Sequence, residues 1–341
     1  MTFSPFGLDL FGDPITAVNR GVLAQRFEFP PFSVLDARSG EWQERKRAWL
    51  ALGIESEIGR DSNALGLSSQ CEDYRKREGE YEDTSISRRV APGGGGGGAW
   101  LGGPRTRSSE AFGHTTPNRA NGTSVFDPVL CELVSRWFCP AGGQVVDPFA
   151  GGSVRGIVAS LLGLRYWGCD LRPEQITANE AQREAICPET TDRLTWVCGD
   201  ALDVLSTAPE ADLVFTCPPY GDLERYSDDP RDLSTMEYHA FLAALRRVLL
   251  RAAARLRPWG YAAVVVGDFR DRRTGHYRGF VADTIHAFRD VGLPLYNDAV
   301  LLTALGSLPI RIGKQFEAGR KLGKAHQNVL VFVKPVRQAT P

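Results

Sequence analysis

The chain has 341 residues, a hydrophobic content of 43% and a formal net charge of −1. That is enough apolar sequence for a sizeable core. It lacks the global basic excess of a nucleic-acid coat protein, so any nucleic-acid surface has to be local. The seven cysteines (Cys71, Cys131, Cys139, Cys169, Cys187, Cys198 and Cys217) include no C-x-x-C pair and are odd in number. Zinc and a disulfide framework are therefore disfavoured, and a reducing cytosol is expected. The opening MTFSPFGLDLFGDP carries acids and no basic n-region, and no apolar run approaches membrane-spanning length. A cytoplasmic chain with no membrane and no metal is expected.

Residues 1–74 read as an accessory segment that could contribute to target recognition. FEFPPFSVLD is a short extended piece broken by Pro30 and Pro31. EWQERKRAWLALG is a helix stopped by Gly53, with Trp42 and Trp49 seven residues apart on one face. Its Arg45, Lys46 and Arg47 read either as the solvated side of a docking helix or as a nucleic-acid contact. Residues 75–122 contain a charge-dense run and the tract PGGGGGGAWLGGP, and cannot bury enough surface to offset the cost of ordering. They read as a flexible linker or loop.

The pattern changes at Thr123, where a domain running to about residue 336 begins. A helix starts at Asp127-Pro128, the acid as cap and the proline in the first turn. Strand-like and helical stretches then alternate: QVVDPFAGG, SVRGIVASLLGL, YWGCDL, RPEQITANEAQREA, LTWVCGDA, ADLVFTCPPY, a long helix from Tyr238 to Leu256 ending at RPWG, YAAVVVGDF, GFVADTIHAFRDVG, PLYNDAVLLTA and NVLVFVKP. Such alternation implies an α/β fold with a doubly wound, Rossmann-like, mostly parallel sheet. Ligands in such sheets sit at the carboxyl ends of the strands.

Two strand ends carry the chemistry. In VVDPFAGG, Gly151 and Gly152 let backbone approach a ligand, and the next helix points its N-terminus at the same place. Carboxylates end successive strands at Asp147, Asp170 and Asp200. Asp170 lies 23 residues after Asp147, near the spacing at which an acid meets a ribose diol. Helix capping is the other reading of these acids. The DPFAGG turn is not the nicotinamide fingerprint G-x-G-x-x-G, and no G-x-x-x-x-G-K-[ST] is present. The second strand end is TCPPY, where two prolines make a stiff corner without N–H donors and Tyr220 adds an aromatic face. An extruded base needs acceptors for its exocyclic amine and a ring to stack on.

Together the motifs resemble the S-adenosylmethionine-dependent amino-methyltransferases of DNA, a class I methyltransferase family, over residues 123–336. The family's cofactor turn, D-P-F-x-G-[SG], is matched by Asp147, Pro148, Phe149, Gly151 and Gly152. The resemblance implies that S-adenosylmethionine is the cofactor, that Phe149 packs beside it, and that Asp170 holds its ribose and Asp200 reaches its adenine. Ser124, at the opening of the first helix, stands where the family holds the cofactor's methionine end. The family's [DNS]-P-P-[YFW] motif is matched by Cys217, Pro218, Pro219 and Tyr220, with cysteine in place of the usual Asp, Asn or Ser. A thiol is a weak acceptor, which shifts weight to the Pro218 carbonyl. The implied catalytic set is Thr216, Cys217, Pro218, Pro219 and Tyr220. TCPPY lies nearer the cytosine-type T-S-P-P-Y than the adenine type, so the amine of cytosine (N4) is favoured over that of adenine (N6), in a base flipped out of duplex DNA. Three other readings stay open: Cys217 as a nucleophile, an RNA base-amine methyltransferase, and an inactive DNA-binding homologue. The arrangement as a whole looks most like methylases of bacteriophages or prophages, in a bacterial or phage-infected host cytosol.

Little sequence separates the motifs, so no large recognition domain sits between them. GDLERYSDDPRDLSTM, after the corner, reads as a mobile lip. Asp268 with Arg270, Arg272 and Arg273 lies at another strand end. RIGKQFEAGRKLGK reads as a surface excursion whose Arg311, Lys314, Arg320, Lys321 and Lys324 contact DNA phosphates, the preferred reading, or form a solvated charge run. His326 reads as a structural histidine rather than a base.

Overall fold

In the computed structural model, residues 22–55, 126–221, 225–306 and 308–336 are described. Ser124 and the glycine-rich stretch lie outside them. Eight strands, β1 (Val34–Asp36), β2 (Gln144–Asp147), β3 (Arg165–Asp170), β4 (Leu194–Cys198), β5 (Ala211–Thr216), β6 (Leu256–Val266), β7 (Leu295–Leu302) and β8 (His326–Val333), form one sheet. The order is β1-β7-β8-β6-β5-β2-β3-β4. β1 runs parallel to β7, and the strands from β6 to β4 are parallel to one another. β8 alone runs antiparallel to both of its neighbours. The mostly parallel, doubly wound α/β sheet is thus the one the alternating pattern implies.

Alternation along the central strands divides the core. Val145, Leu213 and Ala263 face one apolar layer, while Val146, Val214 and Val264 face the other. The first layer is covered by α3 (Pro128–Phe138) and α4 (Val154–Leu161), and the second by α7 (Tyr238–Arg255) and α8 (Phe280–Asp290). α3 begins where the Asp-Pro pair predicts, with the Asp127 carboxylate accepting from the N–H groups of Val129 at 3.0 Å and Leu130 at 3.3 Å. α5 (Pro173–Ile186) and the short α6 (Ala201–Val204) complete the crossovers around β3 and β4.

Residues 22–55 belong to the same compact unit as this core. Beyond α1 (Val22–Phe27), β1 lengthens the sheet and α2 (Gly40–Leu50) packs on α3. The basic face of α2 is consumed in that docking. Buried Arg45 reaches the fully buried Glu132 through Nε at 2.6 Å and NH2 at 2.5 Å, and Trp49 Nε1 donates to the same carboxylate at 2.8 Å. Lys46 pairs with Asp127 at 3.0 Å, and Trp42 Nε1 donates to Asp127 at 3.1 Å. Of the two readings of that patch, docking accounts for Arg45 and Lys46, while Arg47 is exposed.

Two segments differ from expectation. RPWG is not a turn after α7: β6 begins at Leu256, opposite Ala211, and its register resumes at Tyr261 opposite Leu213. Between them Trp259 stands at φ 64° and its N–H donates to the Lys334 carbonyl at 2.8 Å. The excursion between β7 and β8 is helical, forming α9 (Leu308–Gly319) through Gly313. Leu308, Ile312 and Phe316 recur at helical spacing there, and the pattern outweighs a helix-interior glycine that costs about 1 kcal/mol.

Burial alone would raise the Glu132 pKa, but the hydrogen bonds and charge of Arg45, with Trp49 and Arg136, bring it below the ordinary carboxylate value. A depressed folded pKa adds stability above the unfolded value, about 4.3, and that stability is lost as pH falls through the folded one. Arg45→Met should therefore destabilise the protein by about 3 kcal/mol in urea melts at neutral pH. The gap from wild type should shrink below about pH 4.

Candidate functional site

Because β2 to β6 are parallel, their carboxyl ends share one edge of the sheet. In spatial order that edge carries Asp200 just past β4, Asp170 ending β3, Asp147 ending β2, Thr216 ending β5 and Asp268 just past β6. The chain leaves β2 for β3 on one side and returns through β5 on the other, so a topological switch point lies between β2 and β5. Crevices open at such points. The sequence's two motifs flank it.

Asp147 joins them. Its carboxylate is fully buried and accepts four hydrogen bonds from four places: Phe149 N–H at 3.1 Å, Arg155 Nε at 2.6 Å, the Tyr166 hydroxyl at 2.8 Å and the Thr216 hydroxyl at 2.7 Å. Arg155 NH2 also donates to the carbonyls of Phe149 at 2.6 Å and Ala150 at 2.9 Å, while its guanidinium lies 4.5 Å from the Phe126 ring centroid. Burial would lower the Arg155 pKa, but the Asp147 charge raises it further, so the cation persists. This corrects the expectation that Asp147 meets the ligand. It is sealed inside, where it shapes the backbone of the glycine turn. The sequence signal for Arg155 was a lone cation in an apolar helix; for Tyr166 there was none.

The turn residues Phe149, Gly151 and Gly152 are half-buried, as are Asp170 and Asp200. Gly151, at φ 51°, is held from both sides. Its N–H donates to Asp170 Oδ2 at 3.1 Å, and its carbonyl accepts from Asn179 Nδ2 at 2.8 Å. A line of buried amides continues behind it, from Asn179 to Gln175 at 3.0 Å and from Gln175 to Arg172 at 2.8 Å. Asp200 is the N-cap of α6, accepting Leu202 N–H at 2.8 Å, so the capping reading holds for one of its oxygens.

On the other side of the switch point, Pro218 is buried, while Cys217, Pro219 and Tyr220 are half-buried. Tyr220 is fixed in three ways. Its ring makes T-shaped contacts with Phe269 at 6.1 Å and Phe280 at 5.8 Å between centroids. Its hydroxyl accepts from Gln327 Nε2 at 3.0 Å and is hydrogen-bonded to the Cys217 side chain. Burial raises the phenol's pKa, the neighbouring thiol adds to the rise, and Tyr220 stays neutral. Gln327, on β8, is a member of the site that no sequence motif announced.

The loop expected as a mobile lip is cross-braced over its described part, residues 225–236. The Asp232 carboxylate accepts from the hydroxyls of Ser227 at 2.8 Å and Ser234 at 2.7 Å, and Ser234 Oγ accepts Tyr226 N–H at 3.1 Å. Asp268 caps α8 through the N–H groups of Gly279 at 3.0 Å and Phe280 at 3.1 Å. Of the expected phosphate contacts, Lys314, Arg320 and Lys321 are exposed and Lys324 is half-buried; Arg311 lies on α9. Burial lowers the Lys324 pKa against the opposing charge of Asp268. His326 opens β8 opposite Leu302. Among the described residues no cluster of three or more His, Cys, Asp or Glu could hold a metal ion, and no helix is long and apolar enough to cross a membrane.

No known protein-family model matches the sequence. Among solved structures, TrmN from Thermus thermophilus is 20% identical, with 61% of this chain and 48% of that one covered at a TM-score of 0.39. TTHA0409, also from Thermus thermophilus and named as a candidate DNA modification methylase, is 28% identical, covering 42% of this chain and 55% of its own at a TM-score of 0.32. The [4+2]-cyclase SpnF is 15% identical, with 62% and 82% covered at a TM-score of 0.43. The chain spans about half the length of the first two. The mixed, mostly parallel sheet with its antiparallel β7–β8 pair agrees with the doubly wound α/β fold expected from the motifs.

Gly168 is closely enclosed: an added methyl would meet the Tyr166 ring and hydroxyl at 2.7 Å and Ala150 Cβ at 2.9 Å. Gly168→Ala should thus displace Tyr166 from Asp147 and cost about 2 to 3 kcal/mol. Tyr166→Phe, which removes the donor alone, should cost about 1 to 2 kcal/mol. Chemical denaturation of both variants checks the ranking.

Proposed function

We propose that this protein transfers a methyl group from S-adenosylmethionine to the exocyclic amine of a base in DNA, with cytosine favoured over adenine. The observation that carries the reading is the 2.7 Å bond from Thr216 to Asp147, which locks the glycine turn and the prolyl corner to each other across the switch point. A nucleoside cofactor and an acceptor base need adjoining sites of this kind.

The residues fit the cofactor. Gly151 brings backbone to the turn without a side chain, and the half-buried carboxylates of Asp170 and Asp200 stand at the next two strand ends, suited to a diol and an amine. Phe149 offers an apolar face beside them. When bound, S-adenosylmethionine supplies an electrophilic sulfonium methyl for displacement by a nitrogen lone pair.

The corner residues act on the acceptor. An amine conjugated with a base ring is a poor nucleophile, because its lone pair is delocalised. Acceptors that draw its hydrogens toward tetrahedral geometry restore the lone pair, and pre-set acceptors do so without reorganising. Pro218 and Pro219 provide carbonyls and no competing N–H. Tyr220, with its plane fixed by Phe269 and Phe280, is the stacking platform. The Cys217 thiol is already hydrogen-bonded to the Tyr220 hydroxyl, which leaves the Pro218 carbonyl as the stronger acceptor.

Labelled methyl transfer to duplex DNA followed by nucleoside analysis tests the reading. N4-methylcytosine is expected, and N6-methyladenine would move the target within the same reaction. Label on RNA alone, or cofactor binding with no transfer, would overturn it. Cys217→Ser should keep or raise the rate, since a hydroxyl is the better acceptor; complete loss would make Cys217 a nucleophile. Asp170→Ala should weaken cofactor binding by about tenfold or more, read by calorimetry.

A further inference from the structure

The chain after β6 turns back on itself between Arg270 and Tyr277, which form an antiparallel bridge. Asp271 N–H donates to the His276 carbonyl at 2.9 Å, and Gly275, at φ 73°, closes the turn. The Arg270 guanidinium lies 3.9 Å from the Tyr277 ring centroid and donates to the Gly275 carbonyl at 3.0 Å. The segment following α9 brings two more cations to this hairpin. Lys324 Nζ stands 5.8 Å from the same Tyr277 centroid, and Lys321 Nζ would be 2.7 Å from a methyl placed on Gly275. Two acids lie near the hairpin, one of which, Asp268, also acts on Lys324. Asp268 caps α8, and Asp271 pairs with Arg278 at 3.0 Å while accepting the N–H groups of Arg273 and Thr274.

This cationic group adjoins the base corner. A methyl on Gly267 would lie 3.5 Å from Lys324 Cε and 3.7 Å from the Tyr220 ring, so the lysine stem and the proposed stacking platform meet above that glycine. Tyr277 is 44% exposed and sets the spacing of Arg270 and Lys324 without a charge of its own. Several cations spaced along an open surface suit an extended polyanion, and an extruded base needs its own strand gripped on either side.

We propose that Arg270, Lys321 and Lys324, spaced by Tyr277, clamp the phosphodiester backbone of DNA beside the nucleotide whose base enters the Pro218–Tyr220 corner. The proposal rests on the reading of the protein as a DNA base methyltransferase. Tyr277 is a positioning residue within the clamp, and Arg270 and the two lysines touch phosphate.

The test is binding of the full chain to a short DNA duplex by fluorescence anisotropy, over about 50 to 200 mM salt. Each lost phosphate contact shallows the slope of log K against log salt by about 0.9. The Lys321→Ala, Lys324→Ala double variant should therefore shallow the slope by about 1 to 2 and weaken binding about tenfold. S-adenosylhomocysteine affinity should be unchanged and certifies the fold; should the double variant not fold, Lys321→Ala alone, at an exposed site, reads a slope change of about 1. Tyr277→Leu should weaken binding severalfold at constant charge, and Tyr277→Phe should restore it. Arg251→Ala, at an exposed position on α7, should leave the slope as in wild type. An unchanged slope in the lysine variants, or a Tyr277→Leu protein that binds like wild type, overturns the clamp while DNA methylation stands. A slope change seen with duplex RNA and absent with DNA overturns DNA as the partner. A wild-type protein that binds S-adenosylhomocysteine and no nucleic acid overturns both the clamp and the function on which it rests.

Discussion

The buried carboxylate of Asp147 is the constraint on which the rest of the site depends. Placing an ion at the centre of a sheet is costly unless every lone pair is met. Here four donors meet it, from the following turn, α4, β3 and β5. Each donor that satisfies the charge is also pinned by it. Arg155, drawn in by Asp147, reaches on to the carbonyls of Phe149 and Ala150 and so fixes the turn backbone. Thr216, drawn in from the other side, fixes where the prolyl corner begins. One electrostatic requirement thereby sets the glycine turn and the prolyl corner in register with each other.

A second buried carboxylate, Glu132, does similar work behind the site. It binds α2 to α3 through Arg45 and Trp49. α3 follows directly from Phe126, whose ring packs on Phe215 at 5.7 Å and covers the Arg155 guanidinium. The N-terminal element is therefore linked to the Asp147 centre through a short chain of packed groups. α2 looked basic and surface-like in sequence because Arg45 and Lys46 are matched by acids more than 80 positions away, Glu132 and Asp127, a pairing that local pattern does not carry.

The same distinction explains what else was legible. Strand ends, the cap at Asp127, the doubly wound order and the nearness of DPFAGG to TCPPY are properties of local pattern and of parallel-sheet topology, and both can be read along the chain. The saturation of Asp147 depends on partners 8, 19 and 69 residues off, so an acid at a strand end looked like a ligand. α9 was hidden by its glycines, and the bracing of residues 225–236 by serines whose hydroxyls find Asp232 only once the loop closes.

The place of β8 adds a constraint of timing. It is the one strand inserted antiparallel, between β6 and β7, and it is the last described strand to leave the ribosome. It carries Gln327, which holds the Tyr220 hydroxyl, and it completes the pairing of β6. The glycine turn can be built from β2, β3, β5 and α4 while synthesis continues, since domains form as their chain emerges. The prolyl corner lacks one of its anchors until β8 threads in. A nascent chain would thus have its glycine turn in place before its prolyl corner was fully anchored.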